Sequence, residues 1–100
     1  MDFPQLRSFV AVAEEFSFRR AGERLHLSRR PLSRQIKTLE KELGVLLLER
    51  DRGSGVCLTE AGKSFLSYAG QALSASIAAR KRAQDAARNA LQNPLPAPVR

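Results

Sequence analysis

Apolar residues recur at helical spacing along most of this chain. Leu6, Phe9, Val10, Ala13 and Phe16 step by three or four, which predicts a first helix with one apolar face turned to a core. Asp2 and Gln5 have the spacing of a capping box, and Pro4 falls in the first turn. The aromatic pair Phe9 and Phe16 is expected to cover the following helices from behind. Ser17 is placed to cap a second helix, whose apolar edge is Phe18, Ala21, Leu25 and Leu27. Leu32, Ile36, Leu39 and Leu43 mark a third helix. Ser28 stands just ahead of it, where its hydroxyl is expected to accept from a free N–H, with Pro31 in the first turn and Gly44 as a left-handed end. Gly22 inside the second helix costs about 0.8–1.0 kcal/mol relative to alanine, so close helix packing is its expected reason.

The pattern then changes. Val45 to Arg50 and Val56 to Leu58 flank a turn supplied by Asp51, Gly53, Ser54 and Gly55, which predicts a short hairpin. Thr59 caps a fourth helix, with Glu60 suited to its positive end. No proline interrupts residues 59 to 93, so that helix can reach roughly 50 Å. Phe65, Ala69, Leu73 and Ile77 step by four, and beyond them Ala83 and Ala87 continue a narrow stripe of small residues. A partner helix from a second copy is expected to cover this stripe; a solvated alanine-rich helix is the plainer alternative. The tail NPLPAPVR breaks the helix and is expected to be extended.

Charge gives this pattern a partner. The 100 residues carry a net charge of +7, with a pI near 10.8. That favours a polyanion, either nucleic acid or an anionic membrane surface. Arg19, Arg20, Arg24, Arg29, Arg30, Arg34 and Lys37 are interrupted by one acid, Glu23. Basic side chains at the N-terminal end of a capped helix, preceded by a short helix and a turn, make a helix-turn-helix, whose second helix reads bases in the major groove. The hairpin is then a wing that carries Arg50 and Arg52 toward the backbone or minor groove. The fold class is therefore mainly α: a winged helix-turn-helix over residues 1–58, a long linker and dimerisation helix over 59–93, and a proline-rich hinge or tail over 94–100.

LRSFVAVAEEFSF, AGERLHLS, LSRQIKTLEKELGV, LLER and LTEAG, in this order and spacing, resemble the N-terminal DNA-binding domain of LysR-type transcriptional regulators. The resemblance runs from about Leu6 to Gly62 and more loosely through the following helix. The family often has glutamine near Arg29 and alanine at Gly22, and Asp51 to Val56 is slightly longer here. The resemblance implies that Arg34 of the LSRQ motif contacts DNA. It also implies a homodimer through the fourth helix, and leaves dimer or tetramer open for the full-length protein. A small-molecule effector would then bind a larger domain outside these residues, with no cofactor in this segment.

Arg30, Ser33, Arg34 and Lys37 share one face of the third helix, opposite the apolar set. With Arg29 they are the sharpest candidates. Arg29, Arg30, Ser33 and Arg34 are the expected base readers, since arginine pairs with guanine O6 and N7 in bidentate fashion. Arg19, Arg20 and Lys37 are expected to neutralise phosphates, and Ser17 and Phe18 to offer backbone N–H groups to one. Arg24 is expected to pair with Glu23 or Glu40, and Arg80, Lys81, Arg82 and Arg88 to be solvated.

Other chemistries lack their residues. His26 stands alone, and Cys57 has neither a second cysteine nor the ligand count for zinc. No glycine-rich phosphate loop is present, and Glu40 and Glu42 occupy different helical faces. The apolar run Val45 to Leu48 is too short to span a bilayer. MDFPQLRSF lacks the basic start of a signal peptide, and a single cysteine suits the reducing bacterial cytoplasm. Three other readings stay open: a nonspecific architectural nucleic-acid binder, a helix-mediated protein-interaction module, and a membrane-surface helix.

Overall fold

The computed structural model describes residues 1–50 and 55–92. Its order is α1 (Phe3–Glu15), α2 (Phe18–Leu25), α3 (Arg29–Leu43), β1 (Leu48–Arg50), β2 (Val56–Leu58) and α4 (Glu60–Gln92). The two strands pair antiparallel, with Leu48 opposite Leu58, Glu49 opposite Cys57 and Arg50 opposite Val56. The expected hairpin is therefore present, although its first strand is shorter than Val45 to Arg50. The turn expected at Asp51 to Ser54, Arg52 with it, and the tail beyond Gln92 lie outside the described residues.

Helix α1 starts as its sequence dictates. The Asp2 carboxylate accepts the Gln5 N–H at 2.9 Å, and the Gln5 side chain accepts the Asp2 N–H at 3.2 Å. Its burial exceeds expectation. Leu6, Phe9, Val10 and Ala13 face one cluster with Leu39, Leu47 and Ala69, while Ala11 and Val12 face a second with Ala21, Leu32, Ile36 and Val56. Two faces are thus buried where one was expected, because α4 covers one side and α2 with α3 the other. Phe16 does not join them. It ends α1 in the left-handed region at φ 54° and is 60 % exposed. Phe9 instead meets Phe65 of α4 edge-on, with ring centroids 5.5 Å apart.

The α2–α3 turn is tight. His26 takes the left-handed conformation at φ 57°, and the Leu27 N–H donates to the Gly22 carbonyl at 2.9 Å. A Cβ on Gly22 would lie 2.6 Å from the Leu27 carbonyl oxygen, so the packing expected to favour glycine there is against the turn's own backbone. Ser28 precedes α3 but makes no side-chain cap bond, contrary to expectation. A capping oxygen bonds the second or third helical N–H, and the third residue here is Pro31, which has none.

A carboxylate joins α3 to the wing. Glu40 accepts the N–H groups of Leu47 and Leu48 at 2.8 and 3.2 Å. The start of α4 is held to the same segment: the Thr59 hydroxyl donates to the Leu46 carbonyl at 2.6 Å and accepts the Gly62 N–H at 2.9 Å. The Thr59 N–H donates to the Leu47 carbonyl at 3.0 Å.

Two substitutions test these joints. Glu40→Ala leaves two part-buried N–H groups without their acceptor and should lower unfolding stability by about 1–3 kcal/mol in urea titration, with Glu40→Gln losing less. Gly62→Ala places a Cβ 2.1 Å from the Leu47 carbonyl oxygen. It should therefore cost about 1–3 kcal/mol through overpacking, despite alanine's better helix propensity. An unchanged urea midpoint would mean that α4 can draw back from the wing.

Candidate nucleic-acid interface

The inner stripe of α3 determines what its outer stripe presents. Leu32, Ile36 and Leu39 are buried, which fixes the rotation of the helix about its axis. Gln35 is turned inward too, accepting a hydrogen bond from the hydroxyl of buried Ser8. The opposite side carries Arg29, Arg30, Ser33, Arg34, Lys37, Thr38 and Lys41, which together line one open groove. All four expected base readers lie there, and so does Lys37. Thr38 and Lys41 were not anticipated, although they extend the same stripe at four-residue steps from Arg34 and Lys37.

A second depression joins the helix-turn-helix to the wing. Phe16, Ser17, Phe18, Arg19, Arg20, Arg29, Arg50, Gly55 and Val56 line it, together with Glu15. The structure thus gathers the expected phosphate contacts of α2 and the wing, and separates Lys37 from them. The Ser17 hydroxyl accepts the Arg20 N–H at 3.1 Å, so Ser17 is a helix cap. The Phe18 side chain is half-buried against the second apolar cluster.

Ion pairing sorts the cations. Arg24 reaches Glu14 at 2.8 Å and Glu15 at 3.4 Å at the end of α1, not Glu23 or Glu40 as expected. The hydrogen bond that Arg24 donates to Glu14 raises the Arg24 pKa above its ordinary value, with Glu15 adding to it. Glu23 is instead taken by Arg19 at 3.2 Å, one helical turn away; so exposed a pair is screened and weak. Among the described residues, Arg20, Arg29, Arg30, Arg34, Lys37 and Arg50 make no ion pair. All six are exposed, and Arg29 lies in both the groove of α3 and the depression that holds Arg20 and Arg50. Arg88 pairs with Asp85 at 3.3 Å, while Arg80, Lys81 and Arg82 are exposed on α4. His26 is exposed at the turn, and Cys57 is exposed on β2.

The expected dimer stripe divides in two. Phe65, Ala69 and Leu73 pack on this chain's own core, with Ala69 3 % exposed. α1 covers Ala69 fully and leaves Phe65 and Leu73 half-buried. Ile77 is 69 % exposed, and Ala83 and Ala87 are exposed as well. Four-residue spacing marks an apolar face but says nothing of whether its cover comes from the same chain.

The sequence model described as bacterial regulatory helix-turn-helix protein, lysR family, matches residues 3–63. The chain belongs to the lysR family of bacterial regulatory helix-turn-helix proteins. Among its relatives, the HTH-type transcriptional regulator ClcR of Pseudomonas putida is 48 % identical over 88 residues, which are 88 % of this chain and 30 % of ClcR. TfdT of Cupriavidus pinatubonensis is also 48 % identical over 88 residues, 38 % of its own length. The chain therefore spans about a third of these regulators. Among solved structures, the CbnR DNA-binding domain in complex with DNA has a TM-score of 0.79 at 44 % identity, covering 87 % of this chain and 99 % of that one. The BenM DNA-binding domain on catB site 1 DNA has a TM-score of 0.82 at 42 % identity, covering 87 % and 97 %. The described residues are thus a LysR-type winged helix-turn-helix with its long following helix.

Proposed function

We propose that this domain binds double-stranded DNA in a sequence-dependent manner and serves a transcriptional regulator as a dimer. The observation that carries the reading is the exposed basic stripe of α3, free of ion pairs among the described residues and continuous with the depression that leads to Arg50 of the wing. With α3 in the major groove, Arg29, Arg30, Ser33 and Arg34 face base edges. Lys37, Thr38 and Lys41 continue along the groove wall, while Arg19, Arg20 and Arg50 meet phosphates. The helix-turn-helix docks by its second helix, so the N-terminal end of α3 enters first. Likeness to DNA-binding domains solved on DNA supports this assignment.

Two copies joined through the exposed part of α4, around Ile77, Ala83 and Ala87, would present two recognition helices. Two-fold symmetry then calls for a dyad-like operator, with half-sites about 34 Å or a multiple apart. An effector-sensing region beyond this segment would supply control in the bacterial cytoplasm.

Selection from random duplexes at near-physiological salt tests the reading. Enrichment of an interrupted dyad is expected; binding without enrichment would make the domain an architectural binder. Arg34→Ala should cost about 1–3 kcal/mol on the selected operator and much less on random DNA. Lys37→Ala should weaken both alike and reduce the salt slope by about one. Ile77→Asp should shift sedimentation from dimer to monomer while circular dichroism keeps the native helix content. A dimer that survives Ile77→Asp would place the interface elsewhere.

A further inference from the structure

We propose that Phe18 is a positioning residue: its ring holds the Arg29 guanidinium beside the base-reading stripe and so gives Arg29 preference for one guanine over a phosphate. The inference rests on the DNA-binding reading above and assigns the Phe18 side chain a task that no motif records. The Arg29 guanidinium carbon lies over the Phe18 ring, 4.6 Å from its centroid. Phe18 opens α2 and Arg29 opens α3, so the contact bridges the two helices across their turn.

The ring is a fixed platform. Phe18 is half-buried and packs against the cluster that holds Leu32, Ile36 and Val56, so the core sets where the ring stands. The guanidinium on it is otherwise uncommitted, since Arg29 is exposed and makes no ion pair among the described residues. An aromatic face attracts the cation but contains no strong acceptor, so it restrains the group while sparing the five N–H donors for DNA. Restraint before binding lowers the ordering cost of a side chain rich in rotamers.

Place makes that restraint matter. Arg29 lines the α3 groove with Arg30, Ser33 and Arg34. It also lines the depression leading to Arg50, and the one bounded by His26 and Ser28. An unrestrained arginine at this junction can swing to phosphate on either side. Held on the ring, it stays beside the residues that face base edges, where a bidentate pair with guanine discriminates.

The test uses the whole chain and selection from random duplexes, with each position's base preference read separately. The unmodified chain should prefer guanine at one position per half-site, and Arg29→Gln should abolish that preference. Phe18→Leu should weaken the same preference by at least about fivefold, leave the other positions intact and change affinity for random DNA less than about twofold. Phe18→Tyr, which keeps the aromatic face, should restore it. Should Phe18→Leu fail to fold by circular dichroism, Phe18→Met supplies the same comparison. In the Arg29→Gln background, Phe18→Leu should have no further effect at that position.

A guanine preference that survives Phe18→Leu overturns the inference, as does an equal flattening of every position, which would make Phe18 only a packing residue. No enrichment by the unmodified chain overturns the regulatory reading and this inference together. Enrichment without a Phe18 effect overturns this inference alone.

Discussion

The burial of α1 on two faces is the constraint on which the rest of this domain depends. Leu6, Phe9, Val10 and Ala13 meet α4 and Leu39, while Ala11 and Val12 meet α2, α3 and the wing. Small residues on one side and larger ones on the other let a thirteen-residue helix serve two apolar clusters. Each methylene buried contributes about 0.8 kcal/mol, and a domain this small has few to spare. Rotation of α3 follows from this arrangement. Leu32, Ile36 and Leu39 must turn inward, so Arg30, Arg34 and Lys37 have only the outside to occupy.

Polar joints then set the angles that burial leaves free. Glu40 spends both its contacts on the N–H groups of Leu47 and Leu48, which ties the end of α3 to the base of the wing. Thr59 closes the same segment onto α4. The end of α3, the base of the wing and the start of α4 are therefore joined through one carboxylate and one hydroxyl. Arg24 draws two acids from α1 and leaves the groove face without them. Glu15 lines the depression beside the wing, but its carboxylate is paired with Arg24.

Much of this was legible from residue order. The capping box at Asp2, the cap at Ser17, the left-handed end at Gly44 and the hairpin around residues 48–58 are local chemistry, decided within a few bonds. The outer stripe of α3 was legible too, because the apolar stripe that opposes it is unambiguous. The failures have separate causes. Ser28 was expected to cap, but a proline three residues on removes one of the two N–H groups it could reach. Phe16 was expected inside, but the left-handed end of α1 turns it out. Arg24 was expected to find acids on α2 or α3, and found them on the neighbouring helix.

The sequence by itself determined the helices, the caps at Asp2, Ser17 and Gly44, the basic face and the family. These depend on periodicity, on hydrogen bonds between near neighbours, and on the order of motifs along the chain. Only the tertiary structure decided which apolar stripe is covered from within: Phe65, Ala69 and Leu73 by α1, while Ile77 stays exposed. It alone set Arg29 on the ring of Phe18, eleven residues away in the chain. Spacing says which residues share a face. What lies opposite that face depends on how distant segments pack.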